Sequence, residues 1–257
     1  MRASNSSQIT FATEVMADEL AYAAGIDPIA FRRQNVRKTQ LPGSTKVGVS
    51  GSNTKPMNPV DWSFQERFVD ALDAVAKASG WQPRVANSIK QTGNVVTGRG
   101  VSWGPRTAPA TISAAIVEIE VNKKTGKILV KHIYAAQDSG LIVNPTGAEA
   151  NIVGQVVMNT SRALLEEMRF DTKRVTSYDW VSYPILRFKD HPAVTPILIS
   201  RPEIEPSGAG DHVMEHVAPA IANAFFDATG VRIRQVPMTP AVVRATLAAG
   251  GSGTAGT

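Results

Sequence analysis

The sequence comprises 257 residues, 43% hydrophobic and 19% charged, which suits one large domain or two modest ones. It contains no cysteine, so the chain offers no thiolate for an iron–sulfur cluster and no disulfide framework. The formal net charge is +5, but the basic residues are scattered, which argues against nucleic-acid binding. Because no apolar run reaches the ~18 residues of a membrane span and the first residues lack the layout of a secretory signal, we expect no membrane span. We expect a cytoplasmic location, with the periplasm as the alternative if a partner carries the chain there.

Residues 1–95 are predicted to be mainly helical. Apolar residues at helical spacing predict a helix from about Gln8 to Ala24. Asp27-Pro28 has the form of an N-cap followed by a first-turn proline, and it predicts a second short helix to about Asn35. A stretch rich in Gly, Ser, Thr, Asn and Pro predicts a long loop over residues 38–60, followed by a third helix over residues 61–79.

Residues 96–249 mix strand and helix patterns. Strict alternation before and after a turn at residues 122–126 predicts a β-hairpin of strands 113–121 and 128–136. The later predicted elements are a Gly/Asn/Pro-rich corner at 140–147, a helix over 150–167, a short strand at 197–200, a tight loop at 206–210, a helix over 217–229 and a helix after Pro240. The Gly-rich residues 250–257 are predicted to form a disordered tail. The fold class that follows is α+β in two lobes, with a β-hairpin or mixed sheet and flanking helices.

The segment 212–216 reads His-Val-Met-Glu-His, an H-x-x-E-H motif. In that motif two histidines one helical turn apart bind zinc, and the glutamate acts as the base. The motif requires a continuous helix, whereas Gly208 and Gly210 precede it and Pro219 follows it closely. A zinc hydrolase is therefore kept as an alternative.

Three further segments are candidates for a functional role. Residues 206–211 form a glycine-containing loop before a helix, where backbone amides favour an anion and Asp211 could act as a general base. Residues 137–145 form a strand end and corner, and Arg2 precedes a polar run at residues 4–8. Taken alone, the corner could be purely structural and the polar run a plain N-terminus.

Four stretches of the chain follow the pattern of one known family in the same order. Residues 2–36 contain D-E-L-A and D-P-x-x-F-R, residues 97–145 contain V-E-I-E-V and A-A-Q-D-S-G-L-I-V-N-P, residues 151–188 contain S-R-A-L-L-E-E, and residues 207–237 contain G-A-G-D and V-A-P-A-I-A-N-A. With these motifs the sequence resembles the molybdopterin-binding subunit of the molybdenum hydroxylases, of the xanthine dehydrogenase, isoquinoline oxidoreductase and nicotinate dehydrogenase type. The stretches match the C-terminal part of that subunit.

The resemblance implies a molybdenum hydroxylase that uses water-derived oxygen on a heteroaromatic or aldehyde-type substrate. The implied cofactor is molybdenum bound by molybdopterin, or by its cytosine dinucleotide form. The family's general base is a glutamate in G-x-G-E, and the matching residue here is Asp211. Arg2 and Ser4 would bind substrate. The residues implied to contact the cofactor are Gln137, Asp138, Asn144, Asn151, Gly154, Gln155, Gly208, Ala209 and Gly210.

The resemblance also implies partners. The family's subunit is much longer, so we expect a split subunit or a truncated piece, with the other half of the molybdopterin-binding subunit as a separate chain. Electrons would leave through 2Fe–2S clusters on a partner iron–sulfur subunit, and an FAD or cytochrome subunit is a further candidate. We expect the contact with the missing half at exposed apolar helix faces and at the loop 38–60.

Some residues depart from the family pattern. Aspartate is one methylene shorter than glutamate, a loss of reach of about 1.5 Å, and a misplacement of about 1 Å can cost roughly a hundredfold in rate. The helix at 151–159 keeps the central glycine, Gly154, but not the flanking glutamines and glutamate of the family. Two alternatives follow: Glu215 could replace Asp211 as the base, or the chain could be a non-catalytic relative.

Overall fold

The computed structural model describes residues 2–3, 6–36, 64–84, 91–105 and 111–251. The predicted loop at 38–60 and the predicted substrate residue Ser4 lie outside these residues. The helices are α1 Ser6–Ala23, α2 Pro28–Asn35, α3 Phe64–Ser79, α4 Pro145–Leu164, α5 Val217–Thr229 and α6 Pro240–Gly251. The strands are β1 Val95–Pro105, β2 Ile112–Asn122, β3 Lys127–Asp138 and β4 Ala193–Ile199.

The strands form a four-stranded sheet in the order β1-β2-β3-β4. β1 and β3 pair with β2 in antiparallel register, whereas β4 pairs with β3 in parallel register. The predicted hairpin is therefore confirmed as β2–β3, closed where Asn122 pairs with Lys127. Pro196 lies within β4, and it is tolerated because β4 is an edge strand of this sheet.

Both faces of the sheet are covered by helices. Val117, Ile119 and Val121 of β2 belong to the hydrophobic cluster that includes residues of α4 and α5. The alternate residues of β2 belong to a second cluster with Leu72 and Val75 of α3. This alternation follows from the two-residue period of a strand. The mixed sheet with helices on both sides confirms the predicted α+β class.

The chemistry at helix starts explains both a correct and an incorrect boundary. Asp27 caps α2 as predicted, because its carboxylate accepts from the amides of Ile29 and Ala30 at 2.9 and 3.0 Å. The predicted start of α4 near residue 150 is wrong. The helix begins at Pro145, since the Asn144 side chain accepts from the Gly147 amide at 3.0 Å and proline suits the first helical position.

Strand β1 is absent from the predicted elements. Its sequence contains Gly98 and Gly100, which lower the strand propensity of the segment. The structure shows why glycine is needed: a Cβ at either position would overlap the backbone of α5, at the carbonyl groups of Ala224 and Ala220. Glycine therefore lets α5 pack directly on the backbone of β1.

The boundary near residue 95 stays a prediction. Helix α6 continues through Gly251, and residues 252–257 of the predicted disordered tail lie outside the described residues. Within the described residues, no helix is both long and apolar enough to cross a membrane.

Candidate active site

The loop 206–211 leads from β4 towards a 3₁₀ turn at Val213–His216, and side chains from distant segments hold it. Thr111 Oγ1 donates to the Gly208 carbonyl at 2.7 Å, and Gln155 Nε2 donates to the Ala209 carbonyl at 2.8 Å. The Ser207 amide donates to the Ser139 carbonyl at 2.8 Å. The loop is thus fixed to the start of β2, to the corner after β3 and to α4.

These anchors determine which way the loop backbone faces. In a trans peptide the carbonyl oxygen and the following N–H group lie on opposite sides. With the Gly208 and Ala209 carbonyls tied to Thr111 and Gln155, the amides of Ala209 and Gly210 face away from those anchors. A Cβ at Gly210 would meet no atom within 4 Å. Since Gly208 and Gly210 are also exposed, an oxygen-rich or anionic group can reach this part of the loop backbone.

Asp211 lies at the end of this loop, next to the N-terminal segment. Its Oδ2 accepts from the Ala3 amide at 3.1 Å, and its Oδ1 lies 3.8 Å from Nδ1 of His212. Its side chain is 23% exposed, so the carboxylate is accessible but partly shielded. Arg162 of α4 donates to the Arg2 carbonyl at 3.0 Å. The structure thus brings Arg2, which is exposed, and the candidate base to the same place.

The strand-end residues Gln137 and Asp138 are buried. Gln137 Nε2 donates to Ser139 Oγ at 2.8 Å and reaches the Ala209 carbonyl at 3.5 Å. The Asp138 carboxylate accepts from Nε of Arg67 and Nε of Arg201, each at 2.8 Å. Burial alone would raise the pKa of Asp138, but hydrogen bonds from these arginines and from the Gly140 amide hold it below its ordinary value of 3.8. Asp138 is therefore an ionised anchor of the corner.

Helix α4 and its N-cap residue include four of the predicted cofactor residues, in different settings. Asn144 is an exposed N-cap, and Gly154 is exposed, with open space where its Cβ would lie. Asn151 is half-buried, and its Oδ1 accepts from Gln155 Nε2 at 2.9 Å. The Gln155 side chain is fully buried and reaches the loop 206–211. Cofactor contact by all four stays a prediction.

The H-x-x-E-H motif lies in the 3₁₀ turn and the residue before it, and its side chains serve other partners. Glu215 accepts from Ser6 Oγ at 2.5 Å and from Thr10 Oγ1 at 3.5 Å, both on α1. His216 Nδ1 lies 2.9 Å from Ser102 Oγ on β1. Burial, together with the positive charges that His212 and Arg32 can carry nearby, lowers the pKa of His216 to about 3.

Across residues 2–3, 6–36, 64–84, 91–105 and 111–251, no group of three or more His, Cys, Asp or Glu side chains is placed to hold a metal ion. The motif thus gives no support to the zinc alternative.

Sequence reasoning missed the side chains that hold the site in place. Thr111 and Arg162 hold the loop and the Arg2 segment, and Arg67 and Arg201 hold Asp138. The two arginines are 71 and 63 positions from Asp138 in the sequence. No local pattern marks such pairs, so the sequence offered no signal for them.

Comparison with known families identifies the family to which the chain belongs. A family model described as the molybdopterin cofactor-binding domain matches residues 50–192. A nicotinate dehydrogenase chain of Pseudomonas putida is 32% identical to this chain over 260 residues, covering 98% of the chain and 20% of the relative. An isoquinoline 1-oxidoreductase chain of Brevundimonas diminuta is 24% identical, covering 95% of the chain and 27% of the relative. The chain thus spans about a fifth to a quarter of the length of these relatives.

Among solved structures, the aldehyde oxidoreductase of Desulfovibrio gigas superposes with a TM-score of 0.68 at 16% identity. The superposition covers 96% of this chain and 41% of that protein, and at this identity it supports the fold alone. The class defined by these findings is a molybdopterin cofactor-binding domain. The chain belongs to the molybdenum hydroxylase family, within its molybdopterin cofactor-binding domain, and the predicted family membership is confirmed.

Proposed function

We propose that this chain is part of a molybdenum-dependent oxidoreductase that hydroxylates a heteroaromatic or aldehyde-type substrate, with Asp211 as the general base. One observation carries the proposal: segments far apart in sequence converge on one loop. Ala3 donates to Asp211, Thr111 holds Gly208, and Gln155 holds Ala209. The site predicted from the G-A-G-D motif is thus an assembled arrangement rather than an isolated match.

The residues present fit a molybdopterin cofactor. The chain has no cysteine to bind the metal directly, and a pterin that carries its own metal ligands requires none. The outward amides of Ala209 and Gly210, with open space beside Gly210, are where we place contacts to the cofactor. Gly154 presents a second open backbone surface on α4. When bound, such a cofactor supplies the two-electron redox chemistry that amino-acid side chains lack.

The residues of this chain contribute an oriented carboxylate that accepts a proton. Asp211 is partly shielded from solvent and the Ala3 amide orients its carboxylate, so we place proton acceptance during turnover on this carboxylate. Arg2 is exposed and directly precedes Ala3, whose amide donates to this carboxylate, and we assign Arg2 to bind an acidic group on the substrate. These roles require no side chain of the H-x-x-E-H motif.

The proposed partners follow from composition and length. The chain has no cysteine to ligate iron, and we place the 2Fe–2S clusters for electron transfer on an iron–sulfur partner subunit. Because the chain spans 20% of its nicotinate dehydrogenase relative, the remainder of the molybdopterin-binding subunit would complete the site. An FAD or cytochrome subunit is the proposed next electron acceptor.

Variants of Asp211 in the natively purified complex test this proposal. We expect Asp211→Asn to lower turnover of nicotinate, isoquinoline or benzaldehyde by about 10²–10⁴-fold, since general-base catalysis contributes on that order. Molybdenum content should stay unchanged, and Asp211→Glu should retain activity because it restores the family's base. A matched Glu215→Gln variant should retain turnover if Asp211 is the base.

The non-catalytic alternative makes the opposite prediction. It draws support from the short Asp211 side chain and from the hydrogen bond by which Ala3 already occupies one of its oxygens. In that case the wild-type complex turns over none of the probe substrates, and Asp211→Asn changes nothing. Loss of turnover in Glu215→Gln but not in Asp211→Asn would instead assign the base to Glu215.

A further inference from the structure

The Gln155 carboxamide is fully buried and uses its whole hydrogen-bonding capacity within the protein. A glutamine side chain has two N–H donors and two acceptor lone pairs. Nε2 donates to Asn151 Oδ1 at 2.9 Å and to the Ala209 carbonyl at 2.8 Å. Oε1 accepts from the amides of Val213 and Met214 at 3.0 and 3.4 Å. A direct hydrogen bond from this side chain to a cofactor would break one of these four bonds.

These bonds fall on both sides of Asp211. The Ala209 carbonyl lies two residues before Asp211, and the Val213 amide lies two residues after it. A single side chain on the long helix α4 therefore fixes the segment that carries the candidate base from both ends. We propose that Gln155 is a positioning residue: its carboxamide sets the orientation of the Ala209 peptide and the placement of Asp211. The proposal rests on the function proposed above only where it concerns the role of Asp211.

Neighbouring side chains cannot replace this contact. Gln137 reaches the same Ala209 carbonyl at 3.5 Å, a longer and weaker contact than the 2.8 Å bond from Gln155. Thr111 holds Gly208 and does not bridge Asp211. Asn151 accepts the second N–H of Gln155, so it selects the orientation in which the carboxamide nitrogen faces Ala209 and the oxygen faces Val213.

Gln155→Glu is the decisive substitution, because it keeps the size and the acceptor but exchanges the donor for an oxygen. As a carboxylate, Glu would place an acceptor against the Ala209 carbonyl. As a carboxylic acid, it would donate there as glutamine does, and burial raises the pKa of a carboxyl, to about 8–9 in extreme cases. The variant should therefore lose the contact at high pH and regain it at low pH.

The readout is amide hydrogen exchange of the full chain, read at the hydrogen-bonded amides of Ser207, Val213 and Met214 and normalised to the intrinsic exchange rate at each pH. We expect Gln155→Glu to exchange about tenfold faster than wild type at these amides near pH 9, with recovery near pH 5. Wild type should show no such change in protection. Asn159→Asp is the matched control: Asn159 is a buried amide on the same helix, but its Oδ1 accepts from Ala218 of α5 at 3.1 Å. It should leave the Ser207, Val213 and Met214 amides as protected as in wild type.

Two variants of Asn151 provide a less disruptive test in case the Gln155→Glu protein does not fold. Asn151 is only half-buried, and Asn151→Ala removes the acceptor that orients Gln155. This variant should speed exchange at the Ser207, Val213 and Met214 amides, and Asn151→Asp, which keeps the acceptor, should restore their protection. Unchanged protection in both Gln155→Glu and Asn151→Ala, or equal loss in Asn159→Asp, would overturn the proposal.

In the holo complex, a positioning role also predicts a lower kcat for Gln155→Glu that recovers at low pH relative to wild type. Exchange is measured without cofactor or substrate. It therefore tests whether Gln155 holds the segment around Asp211 even if Asp211 proves not to be the base. Loss of protection with no change in kcat would confirm that Gln155 holds this segment and would contradict a role for Gln155 in turnover.

Discussion

The β1–α5 interface and the loop 206–211 are both built from glycine-containing segments, but different forces hold them. At β1–α5, Gly98 and Gly100 let two backbones touch, and the contact is close packing. At the loop, Gly210 leaves open space and a Cβ at Gly208 would make only an ordinary contact with the His212 ring at 3.5 Å, and the loop is held by hydrogen bonds from Thr111 and other distant side chains. The same residue type thus serves burial in one region and access to the backbone in the other.

The difference predicts how each region fails. A close-packed interface has no room for an added atom, so it is sensitive to increases in side-chain volume. A polar site tolerates added volume where it is open, but it is sensitive to the loss of a donor, an acceptor or a charge.

The largest effect is expected from Asp138→Asn in the polar region. Asp138 is fully buried between the guanidinium groups of Arg67 and Arg201. Removing its charge leaves the buried Arg67 without that counter-ion, and breaking a buried pair costs about 3–5 kcal/mol. Urea titration measures the resulting loss in the free energy of unfolding. Asp190→Asn, at a partly exposed ion pair with Lys127, should change it by less than about 1 kcal/mol. Equal small effects of the two variants would refute the anchoring role of Asp138.

Gly100→Ala is the corresponding test of the packed region. The added methyl group would overlap the backbone of α5 at Ala220 and Ala224, and overpacking costs roughly 1–3 kcal/mol or more. Gly154→Ala is its control, because Gly154 lies in α4 and its Cβ would meet nothing within 4 Å. We expect the control to stabilise the chain by about 0.5–1 kcal/mol through helix propensity. Thermal unfolding compares the two, and a destabilising Gly154→Ala would show that α4 is not open at this point.

His216 links the two regions, since it lies in the 3₁₀ turn after the loop and contacts Ser102 of β1. Its folded-state pKa of about 3 lies below its ordinary value of 6.5, so the unfolded chain binds the extra proton. Stability is therefore fully present above pH 6.5 and falls as pH drops from 6.5 towards 3, by up to about 1.4 kcal/mol per pH unit.

His216→Gln removes the imidazole that takes up this proton, so it should flatten the pH dependence of the free energy of unfolding in urea between pH 6.5 and 4. His191→Gln, which replaces an exposed histidine, should not flatten it. An unchanged slope in His216→Gln would mean that His216 is not held neutral in the fold.

The two regions also differ in what the sequence could reveal. Alternation predicted the β2–β3 hairpin, and Asp27 and Gly230 marked the ends of α2 and α5, because these signals are local. β1 escapes prediction because its glycines serve a contact with α5 that no local pattern encodes. The loop and Asp211 were found from the G-A-G-D motif. The carboxamide bonds of Gln155 join residues 54 and 58 positions apart, so they required the structure.

The most direct test of the molybdenum assignment is the metal content of the natively purified complex that contains this chain. Elemental analysis by mass spectrometry, together with identification of the co-purifying chains, separates the candidate functions. We predict molybdenum near one equivalent, with an iron–sulfur partner and little zinc. Zinc bound by the isolated chain, or a complex without molybdenum, would contradict the assignment.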